Sequence, residues 1–128
     1  MTEAKVSNIP ICQSNQNTTN NSKVSNFLMR EAVGSLLYLS SKTRPDIALA
    51  INLESKHLEN FTSSDVANVK QTLRYINGSI DKGVAYVKED NDSNLIEAFC
   101  DSDYANDTET RKSITGYVIF YSGGPIGW

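Results

Sequence analysis

No other stretch limits what this chain can fold into as much as residues 98–120, AFCDSDYANDTETRKSITGYVIF. An apolar run of Leu95, Ile96, Ala98, Phe99 and Cys100 leads into Asp101 and Asp103, a polar turn follows, and a second apolar run begins at Ile114. Two such runs around a polar turn predict a β-hairpin with carboxylates at one strand end. Carboxylates on a rigid strand are what Mg²⁺ requires, because the ion takes hard oxygen ligands in near-octahedral geometry and usually draws one or two of them from protein. An acidic, solvated turn accounts for the same residues, since charge runs commonly mark wet surface. A calcium loop does not: counted from Asp101, the Gly position carries Asn106 and the closing Glu position carries Lys112.

Size and charge bound the rest. A chain of 128 residues buries about two-thirds of its unfolded surface, so two partial domains are expected rather than two complete ones. Hydrophobic residues at 39% and charged residues at 21% describe an ordinary globular protein. No apolar run approaches the roughly 20 residues that cross a bilayer, which predicts no membrane partner. The opening MTEAKVSNIPICQSN lacks the apolar core of a secretory signal, which predicts an intracellular protein of the cytoplasm or nucleus. Cys12 and Cys100 lie far apart and His57 is the single histidine, so reduced thiols are expected and a zinc site is not. Residues 1–88 hold ten basic and seven acidic side chains, whereas residues 89–110 hold eight acidic and no basic ones. That split suits nucleic acid on one face and metal on another; uneven surface charge is the plainer account.

In chain order, QSNQNTTNNS at 13–22 is polar and uncharged and cannot offset the entropy of ordering, so a disordered segment is expected over 1–26. Residues 30–40 are apolar on nearly every side (Ala32, Val33, Leu36, Leu37, Tyr38, Leu39), predicting a buried helix in which Gly34 marks close packing. Thr43 and Asp46 have capping-box spacing and Pro45 suits a first turn. They predict a second helix over 45–58 with Ile47, Ala50, Ile51 and Leu58 inward and Lys56 and His57 wet. Ser63 or Ser64 is expected to cap a third helix, in which Val66, Val69, Leu73 and Ile76 recur at helical steps and Gly78 ends the run in a left-handed conformation. Lys70 and Arg74 share a face of it, open to phosphate or simply to solvent. Beyond Gly83 the period changes, with a short strand at 84–87 and a turn at 91–94. The predicted fold class is α+β: a small helical bundle over 27–81, a connecting strand and turn over 82–94, and the first antiparallel strands of a sheet over 95–128.

Two blocks resemble the Pol polyproteins of copia-type retrotransposons. REAVGSLLYLSSKTRPDIALAINLESKHLEN at 30–60, followed by VKQTLRYINGS at 69–79, is similar to the end of their reverse transcriptase. Ser102, Asp103, Tyr104 and Ala105, then Arg111, Lys112, Ser113, Thr115, Gly116, Tyr117 and Val118, then Gly123, Gly124, Pro125, Ile126 and Trp128 resemble the opening of the RNase H domain, whose usual wording is SDADWAGD, RKSTSGYVF and GG.ISW. Tyr104 stands where the family has Trp, Asn106 where it has Gly, Lys56 for Arg and Gly127 for Ser. Asn106 tolerates a left-handed turn nearly as Gly does.

The resemblance implies a bundle like a reverse transcriptase thumb, which grips the template-primer, followed by an RNase H-like sheet. It implies that the parent copies RNA into DNA and cleaves RNA–DNA hybrids, the cleavage using two divalent ions about 4 Å apart. By its place in the motif, Asp101 corresponds to the first carboxylate holding those Mg²⁺ ions, a catalytic and metal-binding residue, and Asp103 to a residue that supports it without bearing the ion. Arg111 and Lys112 would meet a phosphate beside the metals; Lys70 and Arg74 would meet the template-primer backbone. The other carboxylates belong downstream of Trp128 and the polymerase's Y-x-D-D string upstream, so a fragment without independent catalysis is expected, with Mg²⁺ weakly held or absent. A domesticated, non-catalytic nucleic-acid-binding module is the alternative. An open sheet edge and an apolar face carrying Val118, Phe120 and Trp128 also predict self-association.

Overall fold

The computed structural model describes residues 5–11, 27–87, 95–103 and 113–128. Cys12, the polar stretch 13–22, the turn at 91–94 and the hairpin turn with Tyr104, Asn106, Arg111 and Lys112 lie outside the described residues. The chain is α+β and divides into two compact units, Met1–Gly83 and Val84–Trp128.

The first unit consists of α1 (Met29–Lys42), a 3₁₀ turn (Pro45–Ile47), α2 (Ala48–Ser55) and α3 (Ser63–Asn77). Met29, Val33, Leu36 and Ser40 of α1 recur at three- and four-residue steps and are buried, while Leu37 and Tyr38 stand in solvent. The helix is therefore amphipathic and not buried all round, because in a small bundle it meets its neighbours along one stripe. Gly34 has open space around it and packs against nothing. The core joins the α1 stripe to Ile47, Ile51, Val66, Val69 and Tyr75, with Leu58, Leu73 and Ile76 packed at its margin.

Helix ends depart from expectation in three places. Thr43 closes α1, its N–H donating to the Leu39 carbonyl at 3.0 Å, and Asp46 is drawn instead to Arg44 and Tyr75, so no capping box forms between Thr43 and Asp46. Pro45 does occupy the first turn. Thr62, rather than Ser63 or Ser64, caps α3: the Asp65 N–H donates to Thr62 Oγ1 and the Thr62 N–H to Asp65 Oδ2 at 2.6 Å, a reciprocal box with Asp in the Glu position. Gly78 follows α3 at φ −85° in a right-handed conformation. Its missing side chain leaves room for Val6, whose Cγ1 a Cβ there would strike. Residues 5–11 run along α3, where Thr72 Oγ1 donates to the Pro10 carbonyl at 3.0 Å and Gln71 Nε2 to the Ile9 carbonyl at 3.4 Å.

The second unit is an antiparallel sheet of β1 (Ile96–Asp103), β2 (Ile114–Tyr121) and β3 (Gly124–Gly127), in that order. The expected hairpin forms, with Phe99 opposite Val118 and Asp101 opposite Gly116. Ser122 (φ 46°) and Gly123 (φ 77°) make the turn into β3. Two consecutive positive φ angles are those of a primed turn, whose twist matches that of the strands it joins. A bulge between Ile119 and Phe120 brings Pro125 opposite Phe120 on β3, an edge position where a missing N–H is tolerated. Residues 84–87 are not a strand. Tyr86 instead lies against Gly124 and its hydroxyl donates to the Pro125 carbonyl at 2.7 Å, a side-chain attachment that replaces ladder pairing. Among the described residues, no helix is long and apolar enough to cross a membrane.

Candidate functional site

Asp101 is presented by β1. Strand alternation puts it on the same side of the sheet as Glu97 and Phe99, and the register adds Gly116, Val118 and Phe120 to that face. Gly116 directly opposite offers no side chain to cover the carboxylate, and Asp101 is exposed. Phe99 and Phe120 meet edge to face with ring centroids 6.0 Å apart. This aromatic pair stiffens the strand, although Phe99 remains 59% exposed. Glu97 lies four residues from Asp101, about 13 Å along a strand, too far to share an ion. Asp103 is paired by register with Ile114. Cys100, on the opposite face beside Tyr117, is a free and exposed thiol. An exposed carboxylate on a paired strand can supply one oxygen to a metal that other groups complete. Among the described residues, Asp101 belongs to no group of three metal-ligating side chains.

Lys70 and Arg74 are both exposed on α3, one helical turn apart. The Lys70 ammonium lies 5.5 Å from the centroid of the Phe27 ring, so a cation–π contact steadies its stem and leaves donors free to turn outward. Arg111 and Lys112 lie outside the described residues.

Two polar clusters in the helical unit escaped the sequence reading. In the first, buried Arg44 reaches Asp46 at 2.8 and 2.9 Å, the Ser79 carbonyl at 3.0 Å and Ser79 Oγ at 2.7 Å, and the Tyr75 hydroxyl donates to Asp46 at 2.8 Å. Hydrogen bonds from Arg44 hold the Asp46 carboxyl below its ordinary range. The second gathers Glu54 from the last turn of α2, His57 from the turn beyond it and Asp65 from the first turn of α3. His57 was expected on a wet helical face; because α2 ends at Ser55, its ring turns back and Nδ1 lies 3.2 Å from Asp65 Oδ1. Glu54 Oε1 accepts from Asn68 Nδ2 at 2.9 Å, whereas Oε2 is buried without a partner. Burial pushes the Glu54 carboxyl above its usual value. Glu54 lies three residues beyond Ile51, on the inward stripe, and a charged residue at such a position was the available signal.

No family model matches this chain, and no solved structure matches it. Over 99 residues it is 40% identical to an uncharacterized mitochondrial protein of Arabidopsis thaliana, the match covering 77% of this chain and 40% of that protein. It is 40% identical over 97 residues, 76% of its length, to the retrovirus-related Pol polyprotein from transposon TNT 1-94 of Nicotiana tabacum. It is 37% identical over 99 residues, 77% of its length, to the retrovirus-related Pol polyprotein from transposon RE2 of Arabidopsis thaliana. The chain spans 7% of each of these two polyproteins.

Proposed function

Because the chain is similar over about three-quarters of its length to retrovirus-related Pol polyproteins of transposons, we propose that it is a segment of a copia-type polyprotein that joins the end of the reverse transcriptase to the first strands of the RNase H domain, and that alone it catalyses neither reaction. The carrying observation is Asp101 itself: an exposed carboxylate on the opening strand of an antiparallel sheet that belongs to no group of three metal-ligating side chains among the described residues. Mg²⁺ fits Asp101 as one oxygen ligand, since the ion commonly takes one or two carboxylates and completes its shell with water and substrate phosphate. In the parent polyprotein such ions neutralise charge developing on the phosphodiester. Asp101 supplies position and charge, and Asp103 orients it. The helical unit offers a nucleic-acid duplex the cationic pair Lys70 and Arg74; separately, Arg111 and Lys112 would meet a phosphate beside the metal.

The test is a chimera that joins this chain to the downstream part of the RNase H domain of a related polyprotein. The chain alone neither extends a primer nor cleaves an RNA–DNA hybrid; the folded chimera cleaves it. Asp101→Asn nearly abolishes cleavage, because the amide keeps the size and loses the charge that holds Mg²⁺, whereas Asp103→Asn costs roughly 10–100-fold, as expected of a group that orients a ligand. Cleavage by the chain alone, equal losses at both aspartates, or a folded chimera without activity would overturn the assignment.

The exposed Lys70 and Arg74 pair favours a second reading, a non-catalytic module that binds nucleic acid. Phosphate contacts make log K fall linearly with log salt, so a gel shift that is absent at low salt excludes it.

A further inference from the structure

The first unit carries a cluster that the polyprotein reading does not use. Glu54, His57 and Asp65 each offer a ligand atom within 4.8 Å of the other two. We propose that these three side chains bind a divalent transition ion of the zinc class, which ties the turn between α2 and α3 to both helices.

Four observations carry this. Glu54 is only 6% exposed, and its Oε2 has no hydrogen-bond partner among the described residues. A buried carboxylate oxygen without a donor is costly, and a cation satisfies it. Asp65 is already oriented: the Thr62 N–H and Oγ1 hold Oδ2 at 2.6 and 2.7 Å, which leaves Oδ1 facing His57. Carboxylate ligands steadied by such outer hydrogen bonds are the rule in metal sites. The 3.2 Å between His57 Nδ1 and Asp65 Oδ1 approaches the separation of about 3.4 Å between donors bound at 2.0–2.2 Å around a tetrahedral zinc. Finally, the His57 side chain is 41% exposed, so an ion has a path in and water has room to take a fourth position.

The donor set selects the ion. One imidazole with two carboxylates suits zinc and its neighbours, whereas Mg²⁺ takes oxygen alone. Cysteine spacing could not reveal such a site, because no thiol takes part. Binding displaces any proton on the ligating His57 nitrogen or on Glu54, as metals bind deprotonated ligands. The competing state is metal-free, with His57 Nδ1 against Asp65 Oδ1 and Glu54 Oε1 held by Asn68.

The test uses the full chain with Cys12 and Cys100 changed to serine, so that thiols cannot contribute. Calorimetric titration with Zn²⁺ gives one saturable site per chain, Mg²⁺ at the same concentration gives none, and Zn²⁺ raises the melting temperature. Glu54→Gln and His57→Ala each weaken Zn²⁺ binding by more than about 100-fold, beyond the roughly 10–100-fold loss typical of residues outside the ligand shell. Each variant keeps its helical circular dichroism in chelator. Should Glu54→Gln not fold, His57→Ala decides, since its side chain is substantially open to solvent and carries little packing. Ring resonances of His57 that move on Zn²⁺ addition in the parent chain report the same contact. Zn²⁺ affinity unchanged in either folded variant, equal binding of Mg²⁺, or His57 resonances that stay put would overturn the proposal.

Discussion

Replacing Arg44 with Met tests whether the contact between the 3₁₀ turn and the end of α3 holds the helical unit together. Met keeps much of the stem and removes the guanidinium, so the bonds to Asp46 and to Ser79 are lost together. They are not of equal worth. The Asp46 side chain is 34% exposed, and solvent reduces that pair to about 0.5–1 kcal/mol. The two bonds to Ser79 are buried and come from a charged donor, where about 1.5–3 kcal/mol each is usual. Ser79 keeps other partners, because its carbonyl also accepts the Lys82 N–H at 3.1 Å and its Oγ donates to the Tyr75 carbonyl at 2.7 Å. No group is orphaned, so the low end applies and the total comes to about 3.5 kcal/mol. Against roughly 4–12 kcal/mol for a unit of this size, that is a large fraction. It lowers the melting temperature by about 14–28 °C, at about 4–8 °C per kcal/mol. Urea unfolding followed by helical circular dichroism measures it. A loss under about 1 kcal/mol with an unchanged denaturant slope would show that Arg44 is wet in solution and that α1 and α3 are held by apolar packing alone.

Two further outcomes follow from the same features. The Asp46 carboxyl titrates below its unfolded value, so its contribution is fully present above about pH 4 and is lost as pH falls through the lower folded value; Asp46→Asn removes that part of the acid slope, and a slope identical to the parent's contradicts it. The sheet exposes Phe99, Tyr117 and Ile126, and patches of this kind promote association, so Phe99→Lys shifts the chain toward monomer in light scattering; a parent chain that is already monomeric and melts cooperatively refutes this.

The parts of the fold that were legible in the sequence are those governed by local period. Val66, Val69, Leu73 and Ile76 announce α3, Ile47, Ala50 and Ile51 announce the inward stripe before and within α2, and the paired apolar runs announce the β1–β2 hairpin. Boundaries were less legible, because Thr62, Ser63 and Ser64 all have capping chemistry and only the spacing to Asp65 selects Thr62. Contacts between distant positions were not legible at all. Arg44 and Ser79 are 35 residues apart, and nothing in either neighbourhood announces the other. Gly78 shows the same limit: its local meaning, a left-handed helix end, gives way to a contact with Val6 from the far end of the unit. The cluster at Glu54, His57 and Asp65 was half legible, since Glu54 interrupts an apolar stripe. Its closure depends on α2 ending at Ser55, a boundary that periodicity does not mark.

Asp101 also depends on what surrounds its strand. A metal ligand must be held within about 0.5 Å of its working position by packing beneath it, and small antiparallel sheets gain that rigidity by burying one apolar face. On the Asp101 face, the Phe99 and Phe120 rings meet edge to face, yet Phe99 remains largely in solvent. On the proposed reading, in which Asp101 holds Mg²⁺ weakly, two separable causes would act, too few ligands and too little support. An apolar layer that covers Phe99 without adding a carboxylate would raise the Mg²⁺ affinity of Asp101 if support limits it and leave it unchanged if ligand number does. The expected result is no change, because one carboxylate and water compete poorly with a full hydration shell around an ion that dehydrates reluctantly. On that reading, order in the sheet is necessary for Mg²⁺ binding at Asp101 but not sufficient, because ligand number sets the limit.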